Sequence, residues 1–242
     1  MNKVIRAEFG RTINAGLIIA IAGIIFSICF DSFNDLIAGL RNGQGYVGYF
    51  FSNAAFGGMC THYMLPVFTA LPFSVSLCQE RNNKAVSYIV SREGKNRYIF
   101  AKFIVSAISG GFVAVCGTVL LFLMLAMRFP IAGDEFEGAV VSDYFHEWSA
   151  VYYPQLYILT LSILAFCRGV IWSSLALCVS LYTSDFMVVL LSPFLGSYVL
   201  VRIFQIIRVP DMVRPDMILI GQVVIKSCLL YTSPSPRDMR RS

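Results

Sequence analysis

The feature that most constrains this chain is the recurrence of apolar runs near the length a helix needs to cross a bilayer. About 20 apolar residues span roughly 30 Å of hydrocarbon. Five runs approach that length: about Ile13–Phe30, Tyr63–Cys78, Phe103–Met127, Leu156–Tyr182 and Phe186–Ile207. The chain is 57% hydrophobic and only 14% charged, against about 25% charged in an ordinary soluble domain. One soluble core of 242 residues could not hide so much apolar surface. The expected fold is therefore an all-α, polytopic membrane helix bundle. No cleavable signal peptide is read, since the first run lacks a small-residue cleavage site and further spans follow.

The second run is the shortest and contains Pro66 and Pro72. Proline is tolerated in a membrane helix where neighbours satisfy the carbonyls it frees, so a kink is expected there. Its upstream boundary is open, because 46–56 is also rather apolar. In the first run Gly16, Ala20, Gly23 and Ser27 recur at helical spacing. Such a stripe allows close backbone approach, or it reflects only how common Gly and Ala are in membrane helices.

Basic residues set the expected orientation. Lys3, Arg6 and Arg11 precede the first run, and Arg81, Lys84, Arg92, Lys95, Arg97 and Lys102 fill the loop at 79–102. The opposite side carries Arg41, Arg128, Arg208 and Arg214, with Arg202 near its edge, and the acidic stretch Asp134, Glu135, Glu137, Asp143 and Glu147. The N-terminus and the 79–102 loop are thus expected in the cytoplasm of a multi-pass cell-membrane protein. The lipid bilayer is the first expected partner, and no nucleic-acid partner is expected.

A sixth span would begin after Pro215, but 216–231 reaches only roughly 24 Å at 1.5 Å per residue and contains Lys226. Pro234 and Pro236 then forbid continuing the helix. The end from Cys228 resembles translated sequencing-adaptor read-through; the other reading is a basic cytoplasmic tail. The first reading is preferred because the break falls inside a helix. The organisation is accordingly a transmembrane domain over 1–227 and a non-native tail over 228–242, with the native protein continuing past that point.

Motifs of soluble chemistry fail on context. Gly43, Gly45 and Gly48 match a dinucleotide fingerprint literally, but not inside a βαβ unit. His146 and Glu147 open an HExxH pattern whose last position is Ala150. With His62 the only other histidine, no catalytic zinc triad assembles. No CxxC pair occurs among the seven cysteines, which leaves neither a zinc nor a disulfide framework. No P-loop or nucleophile elbow occurs. No cofactor, metal site or enzymatic activity is expected of this chain.

Two features carry function instead. In the 79–102 loop, Ala85, Tyr88 and Ile89 follow helical spacing among charges, and Gly94 marks a stop. A short amphipathic helix at a membrane surface rests on headgroups or docks into a partner; a plain basic topology anchor is the simpler account. Arg168 falls midway along the fourth run, where a charge is costly and usually faces the bundle interior. It either contacts an anionic substrate or a partner carboxylate, or serves as a structural pair or snorkelling side chain. Gly169 beside it permits close packing. Asp185 reads as a turn or N-cap residue.

The stretch Leu65–Phe73 (LPVFTALPF), then Glu80 and Arg81, then Tyr88–Arg92 with Arg97, Tyr98, Lys102 and Phe103, resembles the second span, coupling loop and third span of ABC-2 type permeases. Val170–Ala176, Ser180–Asp185 and Leu191–Phe194 look like that family's fourth and fifth spans. The resemblance covers the chain to about Gln222. It implies six spans with both termini cytoplasmic and an amphipathic helix before the first span, which 2–11 would supply. It further implies a separate ABC ATPase subunit docked on the loop, and a second permease subunit as homo- or heterodimer partner. On that analogy the ATPase-coupling residues are Glu80, Arg81, Lys84, Tyr88, Ile89, Arg92 and Arg97. The incomplete sixth span is the departure from the family plan. The alternative function is a polytopic membrane protein without an ATPase, such as a sensor or assembly factor.

Overall fold

The computed structural model describes residues 15–42, 47, 58–73, 76–83, 86, 88, 90–91, 94–130, 154–209 and 214. The proposed helix at 2–11, the glycine motif at 43–48, the acidic stretch at 134–147, the partial span at 216–231 and the tail at 228–242 lie outside the described residues. Among the described residues the elements are all helical: α1 (Ala15–Asp31), α2 (Phe33–Asn42), α3 (Met59–Ala70), α4 (Ser76–Asn82), α5 (Lys95–Ala126), α6 (Pro154–Ser180) and α7 (Phe186–Ile207).

Among the described residues three helices are long and apolar enough to cross a membrane: α5, Ile158–Ser180 of α6, and α7. Their outward faces are apolar. Phe112, Leu120 and Leu123 on α5, Ile163 on α6, and Met187, Leu191, Leu195 and Ile206 on α7 are all exposed. This is the inverse of a soluble surface and suits a hydrocarbon surround. The 17 residues of α1 reach roughly 26 Å at 1.5 Å per residue. Beyond Asp31 the hydrogen-bond ladder carries on through Ser32, whose N–H donates to the Ile28 carbonyl and whose carbonyl accepts from Leu36. The amphipathic α2 therefore follows α1 after a single bend.

The predicted second span differs most from expectation. In place of one kinked helix over 63–78, α3 ends at Ala70, a turn occupies 71–73, and α4 starts at Ser76. The cause is local. Pro72 has no N–H to give the Phe68 carbonyl four residues back. The Leu71 N–H takes that carbonyl at 3.3 Å, tightening the last turn, and the helix stops. The predicted third span also starts earlier, at Lys95 rather than Phe103. At 32 residues α5 is roughly 48 Å long, longer than the hydrocarbon is thick, so charged first turns are admissible. α3 begins at Met59, four residues before the expected Tyr63, and the remaining ends lie within about two residues of expectation.

α3 is the hub: α1, α5, α6 and α7 all pack against it. Its own start is capped from a distance. The N-cap is Gly58, with no side chain to satisfy the first free N–H groups. The Asp31 carboxylate at the end of α1 accepts from the Cys60 N–H at 3.1 Å and the Thr61 N–H at 2.6 Å. A carboxylate there satisfies donors and complements the helix dipole.

Small residues set the helix spacing. The predicted stripe on α1 faces α3: Ala20 and Ser27 are buried, and a Cβ at Gly23 would lie 2.3 Å from the Phe68 ring. α5 and α6 come closer still. A Cβ at Gly169 would sit 2.4 Å from the Gly110 carbonyl oxygen and 2.9 Å from the Gly111 Cα. Because backbone rather than a flexible side chain fills that space, Gly169→Ala must push the two helices apart. Overpacking of this kind costs about 1–3 kcal/mol. The thermal unfolding midpoint in detergent should therefore fall in Gly169→Ala. It should stay near wild type in Gly196→Ala, where the nearest atom, on Trp172, is 3.4 Å away.

Candidate functional site

The basic loop is anchored by charges buried inside the bundle. Lys102, in the second turn of α5, is 1% exposed, and Glu80 of α4 is 8% exposed. Lys102 Nζ donates to Glu80 Oε1 at 2.8 Å and to Ser76 Oγ at 3.1 Å. The Tyr98 hydroxyl donates to Glu80 Oε2. The ammonium also lies 4.9 Å from the Phe73 ring centroid and 5.7 Å from that of Tyr98, within cation–π range. Both carboxylate oxygens are engaged, as a buried ion must be to offset its desolvation. The arrangement ties α4 to α5 at the point where the chain leaves the bundle.

α4 is tied to a second place. Arg81 Nη1 donates to the Leu181 carbonyl at 3.0 Å and the Ser180 carbonyl at 3.4 Å. Asn82 Nδ2 donates to the Ser184 carbonyl at 3.4 Å. Carbonyls at the end of α6 lack helical partners and carry the negative end of its dipole, so a guanidinium suits them. The seven-residue α4 thus links the start of α5 to the α6–α7 turn.

The sequence-predicted coupling residues separate on this frame. Glu80 points inward and is held by Lys102 and Tyr98, so its carboxylate does not face outward. Arg81 is exposed but caps α6. Tyr88 is 78% exposed, and Arg97 is exposed in the first turn of α5. Lys84, Ile89 and Arg92 lie outside the described residues. Val86, Tyr88, Val90 and Ser91 have helical backbone, and Gly94 follows with φ 85°, a left-handed conformation that suits glycine. The inward face of this turn is Val86 and Val90, four residues apart, which pack with Leu77, Tyr98 and Leu177. Tyr88, expected on a docking face with Ala85 and Ile89, points away from the bundle, while Ala85 and Ile89 lie outside the described residues. Between the turn, α4 and α5 lies an open cleft of about 680 Å³.

Arg168 is 6% exposed, and its Nη2 donates to the His62 carbonyl at 3.1 Å and the Thr61 carbonyl at 3.5 Å. The reason is Pro66. In a regular helix the His62 carbonyl accepts from the N–H of residue 66, which proline lacks. Arg168 supplies the missing donor from α6. A search for acidic residues at the same depth misses this pairing, because the partner is a backbone carbonyl.

The Glu80–Lys102 pair was also missed by the sequence, which counts both as loop charges. A usable signal exists: Tyr98 and Lys102 are four residues apart and share one face of α5, pointing both polar groups at one place. Among the described residues no cluster of three His, Cys, Asp or Glu could hold a metal ion.

Two outcomes follow. Glu80→Gln or Lys102→Met alone strands a buried charge and should cost about 3–5 kcal/mol. The pair Glu80→Gln/Lys102→Met should cost clearly less than the sum, read as unfolding midpoints in detergent; strict additivity would refute the coupling. Arg168→Leu should likewise be costly in the native background, where it removes the donor that replaces the Pro66 N–H at the His62 carbonyl, by about 1–3 kcal/mol. In a Pro66→Ala background, where an N–H returns to that carbonyl, the same change should cost measurably less.

Comparison of the chain with protein-family models, with curated proteins and with solved structures returns no match.

Proposed function

We propose that this chain is the membrane-spanning permease subunit of an ABC-2 type ATP-driven exporter, and that a separate ATPase subunit docks on the 79–102 loop. On this reading the loop end faces the cytoplasm, six spans complete the native subunit, and two subunits line a pathway at their interface. The resemblance of Leu65–Phe73, the loop and the later spans to that family motivates the reading. The observation that carries it is the double attachment of α4. Glu80, Lys102 and Tyr98 bind it to α5, while Arg81 and Asn82 bind it to the α6–α7 turn. A loop fastened this way transmits a push at its surface to the spanning helices instead of absorbing it.

The roles divide accordingly. Tyr88 and Arg97 face outward and supply the contact, with Tyr88 as apolar anchor and Arg97 pairing with a carboxylate on the ATPase. Lys84, Ile89 and Arg92 are assigned to the same surface from the sequence. Glu80 and Arg81 belong behind it and position it. Coupling is mechanical: the ATPase shifts the spans only to the extent that docking differs in free energy between their two arrangements. Arg168 holds α3 to α6 and moves as part of that pair.

Affinity purification of the tagged full-length permease in mild detergent tests the proposal. A stoichiometric ABC ATPase should co-purify, and Tyr88→Ala with Arg97→Glu should release it while the permease stays inserted and folded. Purification of the wild-type protein without any ATPase would refute the exporter assignment. It would favour a sensor or assembly role.

A further inference from the structure

The cleft beneath the loop is lined by side chains the docking reading does not use, apart from Arg81 and Tyr98, which both share. Its floor is Leu77, Val86, Val90 and Ile99, with Leu181 at one edge. Arg81 and Lys95 stand at the rim, both exposed. Among the described residues no acidic side chain lines it, and the nearby Glu80 carboxylate is turned to Lys102 and Tyr98. The cleft is therefore apolar inside and cationic at its mouth.

Its place in the bundle says what chemistry would meet it. Lys95 is the first residue of α5 and Ile99 lies one turn further in. Leu181 follows directly on the last residue of α6. The mouth thus sits where two helices of membrane-spanning length end. Phe103, four residues after Ile99 on the same face of α5, is 43% exposed and extends the apolar floor along the spanning helix. Tyr182, beside Leu181, is 88% exposed, as interfacial tyrosines are.

We infer that this cleft binds an anionic glycerophospholipid of the adjoining leaflet. The headgroup phosphate lies between Arg81 and Lys95, and the proximal acyl chain lies on Leu77, Val90 and Ile99 and continues past Phe103. Three properties favour a lipid over a protein segment: a charge pattern complementary to one phosphate, an apolar floor continuous with the membrane-facing surface, and a mouth where two helices of membrane-spanning length end. Basic pockets at the membrane face commonly hold anionic headgroups, each Lys or Arg near the surface contributing about 1 kcal/mol. That corresponds to roughly fivefold in affinity per cation. The volume of about 680 Å³ fits the usual range for ligand sites, about 300–1,000 Å³.

Native mass spectrometry of the full chain in detergent, titrated with dioleoylphosphatidylglycerol or dioleoylphosphatidylcholine, tests this without any ATPase, so failure leaves the exporter reading untouched. The wild type should retain phosphatidylglycerol preferentially. Lys95→Gln should reduce that preference about fivefold. Lys95 is exposed at the start of a helix, where a cation opposes the dipole, so the change does not threaten folding. Arg81→Gln should act similarly, and Ile99→Trp, which fills the cleft, should lower retention of both lipids. Equal retention of the two lipids by the wild type would overturn the assignment, as would unchanged retention in both Lys95→Gln and Ile99→Trp. Competition by glycerol 3-phosphate as effective as that by the lipid would overturn it too, reducing the cleft to a phosphate site. A photo-crosslinker at Val90 should label phospholipid in membranes; labelling of protein alone would give the cleft to a polypeptide partner.

Discussion

Proline in a membrane helix leaves a carbonyl without its donor, and in hydrocarbon no water is present to replace it. The three prolines within or closing the described helices α3 and α7 each meet this constraint differently. Pro193 in α7 frees the Val189 carbonyl, and the Ser192 hydroxyl donates to it at 2.8 Å. Pro72 frees Phe68, and the Leu71 N–H closes onto it and ends the helix. Pro66 frees His62, and Arg168 reaches across from α6. The first repair is local, the second terminates α3, and the third joins two helices. The shape of the hub helix follows from which repair each site receives.

Arg168 and Lys102 are both buried cations, yet they are neutralised by unlike means. Arg168 spends its donors on carbonyl dipoles and sits beside Gly169, where α5 and α6 touch backbone to backbone. Carbonyls suit a guanidinium, which is planar, weakly hydrated and able to serve two acceptors from one nitrogen. Lys102 is a compact ammonium and has a full carboxylate, a hydroxyl and two aromatic faces around it. The distinction bears on function. A charge satisfied by the backbone fixes a helix pair, whereas a charge satisfied by a side chain on another short helix fixes that helix. Arg168 holds the bundle together, and Lys102 holds the loop to the bundle.

Legibility in the sequence divides along the same lines. α1, α6 and α7 were readable because unbroken apolar runs leave helix as the sole way to satisfy the backbone in lipid. The Gly16–Ser27 stripe was readable because close approach requires small residues at fixed spacing. The first turns of α5 were not, since Lys95, Arg97 and Lys102 carry the polarity of a loop while their backbone is helical. The break after Ala70 was readable only as a kink, because Pro72 announces a lost donor but not which neighbour replaces it. The site residues were harder. Glu80 and Lys102 look like solvated loop charges until α4 folds back on α5, and the acceptors for Arg168 and Arg81 are carbonyls, which no residue-type pattern marks. The spacing of Ala85, Tyr88 and Ile89 marked an outward docking face but left unread that Val86 and Val90 pack inward.

The burial of Glu80 changes what the loop is able to do. Were its carboxylate outside, the loop would be a set of solvent-exposed charges on a tether, and such contacts are individually weak and screened by salt. With Glu80 inside, the charges left outward among the described residues of 76–97 are all basic: Arg81, Lys95 and Arg97. The inward pair therefore does two things at once. It ties the segment to α5, and it withdraws the Glu80 carboxylate from the outer surface. The same inward turn keeps the Glu80 carboxylate out of the cleft beneath, which among the described residues has no acidic lining. One buried salt bridge thus removes the same carboxylate from the outer surface and from the cleft.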